Sequence, residues 1–290
     1  MRPLSTLVIT MLATVVPGVA AWLVVLRWPR ADPMTPAVSA ETVKSQAQRH
    51  RRAIAYFNSR FSPESTTRVA LAVTVLIVVI GAAAVGILVL MIHSNSGFAR
   101  WDHSASLYAA HHASKSSDRL LKIFTQLGGA LVIVPLAVIV AVIETMRQRT
   151  AVVAIFLTLV VGGQFLVANI TKFLVDRARP AFDQLTGFSG ASFPSGHAVA
   201  TAAGLAAFAL VMGRGRSLRT RAVYAGLAVG LATGVSCTRV MLGVHWLSDV
   251  LGGLAIGWTW FAICSVSFGG RRLRFGAPVK VAEAVASTPE

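Results

Sequence analysis

The sequence predicts an all-α integral membrane protein: a six-helix transmembrane core with one extra N-terminal transmembrane helix before it. Three observations carry this. Apolar residues fill 55% of the 290 positions and charged residues only 13%, against about 25% charged in an ordinary soluble domain. Mean hydropathy is strongly positive, at +0.68. The apolar residues also gather into seven runs, at 7–26, 69–92, 123–143, 151–170, 198–212, 222–237 and 246–268; a helix needs about 20 such residues to cross the hydrocarbon core.

Arg2 alone precedes the first run and a basic block follows it. That charge order suits a retained helix with its N-terminus outside, although a cleaved signal peptide would also show a short apolar stretch. A helix over 43–61 would group Val43, Ala47, Ile54, Phe57 and Phe61 among several arginines, as on an anionic lipid surface; a flexible basic linker fits the same residues equally well. The second, third and fourth runs are long enough to span. The fifth and sixth are short, so their helices must extend into polar flanks that include His197 and Thr238-Arg239. Gly226, Gly230 and Gly234 repeat every four residues, the spacing of a helix-packing face. Cys237 and Cys264 sit inside apolar runs and are expected to pack, with no disulfide or metal role. The predicted division is an N-terminal helix and basic cytoplasmic segment over 1–67, the core over 68–270, and a basic-then-polar cytoplasmic tail over 271–290.

A net charge of +16 raises the question of nucleic acid, but topology accounts for it first. Segment 27–68 holds eight basic residues, loop 144–150 two, loop 213–221 four and the tail four, eighteen of the 27 in all. These segments share one side if all seven runs span. Cytoplasmic loops are enriched in Lys and Arg, so that side is predicted to be cytoplasmic, and no nucleic-acid partner is needed.

The opposite side gathers the chemistry. "KFLVDRARP" brings Lys172, Arg177 and Arg179; "FPSGH" brings Ser195, Gly196 and His197; "TRVMLGVHWLSD" brings Arg239, His245 and Asp249. Ionisable residues near membrane depth are costly and are functional candidates by default. Lys172 and Arg179 are seven apart, which on a continuous helix puts them on one face, and Pro180 is expected to stop that helix. Pro194 and Gly196 favour a tight turn into a helix at His197, whose free N–H groups with Ser195 make an anion site. His245 and Asp249, four apart, can touch on one helix; a carboxylate on one imidazole nitrogen leaves the other as a lone pair, for a nucleophile or base. Cations, a helix N-terminus and two histidines suit a phosphate ester. His93, His103, His111 and His112 lie in or beside loop 93–122 and are set aside from the site.

These residues resemble the type 2 phosphatidic acid phosphatase family, within the acid phosphatase and vanadium haloperoxidase superfamily. The family pattern is Lys-x6-Arg-Pro, then Pro-Ser-Gly-His, then Ser-Arg-x5-His-x3-Asp. Here it runs from Lys172 to Arg179-Pro180, from Pro194 to His197, and from Thr238-Arg239 to His245 and Asp249. Thr238 departs from the usual Ser but keeps a hydroxyl. The similarity covers about residues 68–268; residues 1–67 have no family role. The resemblance implies that Lys172, Arg179 and Arg239 hold the phosphate, with Ser195 and the Gly196–His197 amides adding hydrogen bonds. His245 would attack phosphorus, Asp249 would orient it, and His197 would protonate the leaving oxygen. It implies no cofactor, and no carboxylate cluster suited to Mg²⁺ lies near these residues. The expected substrate is a lipid phosphate or diphosphate at the outer face of the plasma membrane: a polyprenyl diphosphate such as undecaprenyl diphosphate, phosphatidylglycerophosphate or phosphatidic acid. A lipid phosphotransferase would show the same residues. A catalytically silent lipid-phosphate-binding protein fits less well, because His197, His245 and Asp249 are intact. A vanadate-dependent peroxidase is disfavoured by the membrane-embedded chain.

Overall fold

The structure, a computed structural model of the chain, describes residues 4–27, 63–112, 114–148, 151–181, 185–186 and 190–268. The segment 43–61 and the tail 271–290 lie outside the described residues. Nine α-helices are found among those described: α1 (Leu4–Arg27), α2 (Pro63–His93), α3 (Arg100–His112), α4 (Lys115–Thr125), α5 (Ala130–Gln148), α6 (Val152–Val175), α7 (Gly196–Met212), α8 (Leu218–Met241) and α9 (Leu247–Phe268). Six are long and apolar enough to span a membrane; α7, with 17 residues, is the short one. The protein is multi-pass. Leu131, Met146, Phe173 and Leu174 are among the large apolar side chains left on its outside, an arrangement suited to lipid and costly in water.

The third apolar run differs from its expected course. It begins as the end of α4, breaks at a 3₁₀ turn over Gln126–Gly128, and resumes as α5. Polar residues Thr125 and Gln126 and the pair Gly128-Gly129 interrupt the apolar pattern there, and the turn is what brings α4 beside the site. The two short runs extend as expected: α7 takes His197 into its first turn, and α8 takes in Thr238 and Arg239.

Helix α7 is the hub, packed against α5, α6, α8 and α9. Its buried face is mostly small, with Ala198, Ala200, Ala202, Ala203, Gly204 and Ala207 beside Val199, Thr201, Phe208 and Val211. Small side chains let neighbouring backbones approach closely, which is how helices associate where lipid supplies no hydrophobic drive. A Cβ at Gly253 would fall 2.8 Å from Ser195 O, and one at Gly257 2.6 Å from Val199 O, so α9 lies directly on the start of α7. Helix α1 packs antiparallel along α8. Gly18 faces Gly226 and Gly230, Gly234 meets Thr14, and Thr233 Oγ1 donates to Ala13 O at 2.6 Å. The glycine repeat of α8 is therefore a packing face, and its partner is the N-terminal helix.

Candidate active site

Three chain reversals at one end of the bundle bring the polar residues together. Helix α6 ends at Val175, where Asp176 takes the left-handed conformation (φ 40°) and its N–H caps Lys172 O. Lys172 and Arg179 are therefore not on one helical face as expected: Lys172 is on the last turn of α6 and Arg179 is beyond it. They converge through the returning loop instead. Lys172 Nζ donates to Ala191 O at 2.7 Å, and Arg179 donates to Ala191 O at 3.2 Å and Gly190 O at 3.0 Å. The helix stops four residues earlier than Pro180 alone required.

The second reversal follows α8. Gly243 has φ +71°, a conformation that favours glycine after a helix end, and it folds the chain back so that Val244 and His245 N–H both reach Arg239 O. His245 therefore precedes α9 and does not share a helix with Asp249. Contact is made from the helix start: Asp249 Oδ2 accepts the Trp246 N–H at 2.9 Å, as the third residue of a capping box does, and lies 3.5 Å from His245 Nδ1. That is an ion-pair distance, longer than a formed hydrogen bond; Nδ1 has no hydrogen-bond partner. Arg179 Nη1 stands 3.2 Å from His245 Nε2. A guanidinium only donates, so Nε2 accepts and the ring proton belongs on Nδ1, facing the carboxylate. Burial pulls His245 down from 6.5 to about 4, against Asp249, which raises it, and with Arg179 and Arg239 lowering it further. The imidazole is thus neutral near pH 7.

The third reversal is the entry to α7. Ser195 is its N-cap, its N–H donates to Asp249 O at 3.1 Å, and its buried Oγ has no partner. His197 lies within the field of Arg239, His245 and Lys172. The 3₁₀ turn sits over it: a Cβ on Gly128 would be 3.3 Å from His197 Cβ. Arg239, only 5% exposed, donates through Nη1 to Thr125 Oγ1 at 3.2 Å, while its Nε has no partner. So Lys172, Arg179, Ser195, Gly196, His197, Arg239, His245 and Asp249 all meet at one end of the bundle. A buried hydroxyl and a buried guanidinium N–H there are unsatisfied, an arrangement that can bind an anion.

Sequence reasoning missed the layer behind this site. Arg177 Nη1 donates to Asp249 Oδ1 at 2.6 Å and to Ser248 Oγ at 2.7 Å, and its Nη2 donates to Asp102 Oδ2 at 2.7 Å. Asp102, on α3, also accepts from Ser248 N and Ser248 Oγ. Ser192 Oγ donates to Asp249 Oδ2, and the Arg177 guanidinium lies 5.3 Å from the centre of the Trp246 ring. Arg177 was visible two residues before Arg179, but its partners are 72 and 75 residues away. Asp102 had one faint signal, an acidic residue in a loop otherwise rich in histidine and basic residues. His93 and His112 bond to carbonyls one turn back on their own helices. Among the described residues, no group of three or more His, Cys, Asp and Glu side chains is placed to hold a metal ion.

The chain is similar to several known proteins. The family model for the PAP2 superfamily matches residues 150–273. A lipid A 1-phosphatase of Rhizobium johnstonii is 38% identical over 119 residues, 38% of this chain and 44% of that one. Phosphatidylglycerophosphatase B of Bacillus subtilis is 33% identical over 136 residues, 46% of this chain and 66% of that one. Alignments with the lipid A 1-phosphatases span less than half of those proteins. The crystal structure of a transmembrane PAP2-type phosphatidylglycerolphosphate phosphatase from Bacillus subtilis superposes with a TM-score of 0.63 at 30% identity, covering 68% of this chain and 98% of that one.

Proposed function

The chain belongs to the PAP2 superfamily, and from that premise we propose that it hydrolyses the phosphate ester or diphosphate of a membrane lipid through a phosphohistidine on His245. The observation that carries this is the tautomer. Arg179 donates to Nε2, so the ring proton faces Asp249 and the Nε2 lone pair points among the cations. Lys172, Arg179 and Arg239 hold the phosphate oxygens, and Ser195 Oγ with the Gly196 and His197 amides completes the cradle. Nε2 donates its lone pair to phosphorus as the bond to the leaving oxygen breaks, and His197 gives that oxygen a proton. Water, deprotonated by His197, then cleaves the P–N bond. Charge growing on the equatorial oxygens is met by cations already in place. Asp249 orients His245, and Arg177, itself held by Asp102 and Ser248, fixes Asp249.

The proposed substrates are a polyprenyl diphosphate, phosphatidylglycerophosphate or phosphatidic acid, and relatives named as lipid A 1-phosphatases add lipid A. The proposed orientation puts the site outside the plasma membrane. Arg147, Arg214, Arg216, Arg219 and Arg221 support it, since they lie around the opposite ends of α5, α7 and α8, as cytoplasmic cations do. The test is phosphate release by the purified chain from a panel of these lipids, with and without an added lipid acceptor. Release without acceptor is expected. Transfer that occurs only with acceptor would make the protein a phosphotransferase, and no release or transfer from any lipid would contradict the proposal.

A further inference from the structure

Two neighbouring glycines border His197 for different reasons. The chain between α4 and α5 meets the site at three points. Thr125 Oγ1 accepts from Arg239 Nη1 at 3.2 Å. A Cβ added at Gly128 would stand 3.3 Å from His197 Cβ, and one added at Gly129 would stand 3.9 Å from His197 Nε2. Gly128 is buried and is required by packing, since its Cβ would also stand 2.7 Å from Val235 Cγ1 and 3.0 Å from Thr201 Cγ2. Gly129 is under no such demand. Its φ of −75° and ψ of 151° are extended backbone that any residue adopts. Its carbonyl accepts from the Val132 and Ile133 N–H groups, both at 3.0 Å, which makes it the N-cap of α5. Ser, Thr, Asp or Asn stabilises a helix start better than glycine does. The atoms nearest to a Cβ there are Gln126 O at 3.2 Å and Gln126 Oε1 at 3.4 Å; Gln126 is exposed and can give way. Neither packing nor conformation therefore accounts for the glycine at 129.

The missing side chain leaves space beside a reacting group. A proton donor comes within about 2.6–3.2 Å of the oxygen it protonates, and the carbon on that oxygen is one bond further out, at roughly 4 Å from the donor nitrogen. A Cβ at 129, 3.9 Å from His197 Nε2, would occupy the same shell. We propose that His197 Nε2 delivers the proton to the leaving oxygen and that Gly129 is the specificity-determining residue for the leaving group. With no side chain at 129, a branched carbon on the leaving oxygen fits beside Nε2; any larger residue there excludes it. As the P–N bond to His245 forms and the P–O bond of a monoester breaks, that oxygen takes the proton from Nε2 and departs past Gly129 as the alcohol. The turn is fixed for this role through Thr125 against Arg239 and Gly128 against Val235 and Thr201. The proposal rests on the lipid phosphatase function given above and assigns the wall of its leaving-group subsite.

The test uses the full chain in detergent micelles and two long-chain alkyl phosphates of equal carbon count. One carries its phosphate on a terminal methylene, the other on a methine carbon that bears a methyl group. The readout is the kcat/KM of the branched ester divided by that of the terminal one. The wild type should turn over both within about tenfold of each other, and Gly129→Ala should lower the ratio by about a further tenfold or more, the scale of one misplaced methyl group in a pocket. Gly129→Ser should lower it likewise, and because serine caps α5 it keeps the test decisive if the alanine variant does not fold. Gly128→Ala, which disturbs packing, should reduce kcat/KM for both esters equally and leave the ratio unchanged. Oxygen-isotope exchange between inorganic phosphate and water uses the same two histidines, but its leaving group is water and bears no carbon. The Gly129 variants should therefore keep exchange at about the wild-type rate. The same ratio in the wild type and both Gly129 variants, or a wild type that already rejects the branched ester by more than about tenfold, would overturn the proposal and leave the phosphatase reading standing. Absence of both exchange and hydrolysis in the wild type would overturn the two together.

Discussion

The two ends of helix α8 follow opposite rules. Toward its N-terminus and middle it meets α1 through glycines, with Gly18 against Gly226 and Gly230 and an interhelical hydrogen bond from Thr233. At its C-terminus it carries the buried Arg239 into a cluster of cations, two histidines and a carboxylate. The seam is specified mainly by size. The site is specified by chemical identity, because each buried charge needs a particular partner. Substitutions that respect volume should therefore pass in the seam and fail in the site, while substitutions that respect charge should be tested in the site.

The largest contrast comes from His245→Ala. Loss of the proposed nucleophile should reduce kcat by about 10⁴-fold while the chain still purifies as a folded protein, since His245 lies in a loop between helix ends. Unfolding of this variant, or activity within tenfold of wild type, would break the distinction between site and scaffold. Arg179→Lys keeps the charge but cannot reach His245 Nε2, Val244 O and Ala191 O together. It should cost about 10²-fold in kcat/KM, the scale of one lost transition-state donor; a lysine that works as well would mean that only net charge matters there.

Asp102→Asn sharpens the comparison at longer range. It leaves the shape but removes a charge from the group Asp102, Arg177 and Asp249, so Arg177 neutralises Asp249 more fully and His245 gains less from its carboxylate. The expected loss in kcat is about tenfold. His245 sits near 4 by burial, and acid removes its lone pair, so the wild-type acid limb of kcat/KM, which reports the free protein, should fall well below pH 6.5. In Asp102→Asn it should move lower still. A wild-type limb at 6.5, or a variant limb moved upward, would contradict the assigned electrostatics. At the small end, Gly230→Leu overpacks the α1 seam, where a Cβ would already stand 2.6 Å from Thr14 O. It should cost about 1–3 kcal/mol of stability and change kcat less than twofold; a thermal melt and one assay decide it.

Much of this was legible in the sequence, for a physical reason. Membrane spans announce themselves by length and hydropathy, and polar residues forced to the ends of short spans, such as His197 and Arg239, are placed by that same pattern at one end of the bundle. Spacing arithmetic failed where it assumed an unbroken helix. Asp176 and Gly243 take left-handed conformations, and those two residues turn a supposed helical face into two loops that converge by folding back. Asp102 was out of reach because its partners Arg177 and Ser248 are 75 and 146 residues away, and no local pattern encodes a contact at that distance.

The central claim is that His245 carries the phosphoryl group, and rapid-quench labelling tests it most directly. The purified chain is mixed with a lipid substrate labelled in the scissile phosphate, quenched in base within a turnover, digested and sequenced. Label on the peptide containing His245, lost on acid treatment and absent from His245→Ala, is the predicted result. Label on His197 or any other residue, or phosphate release by His245→Ala at the wild-type rate, would contradict it.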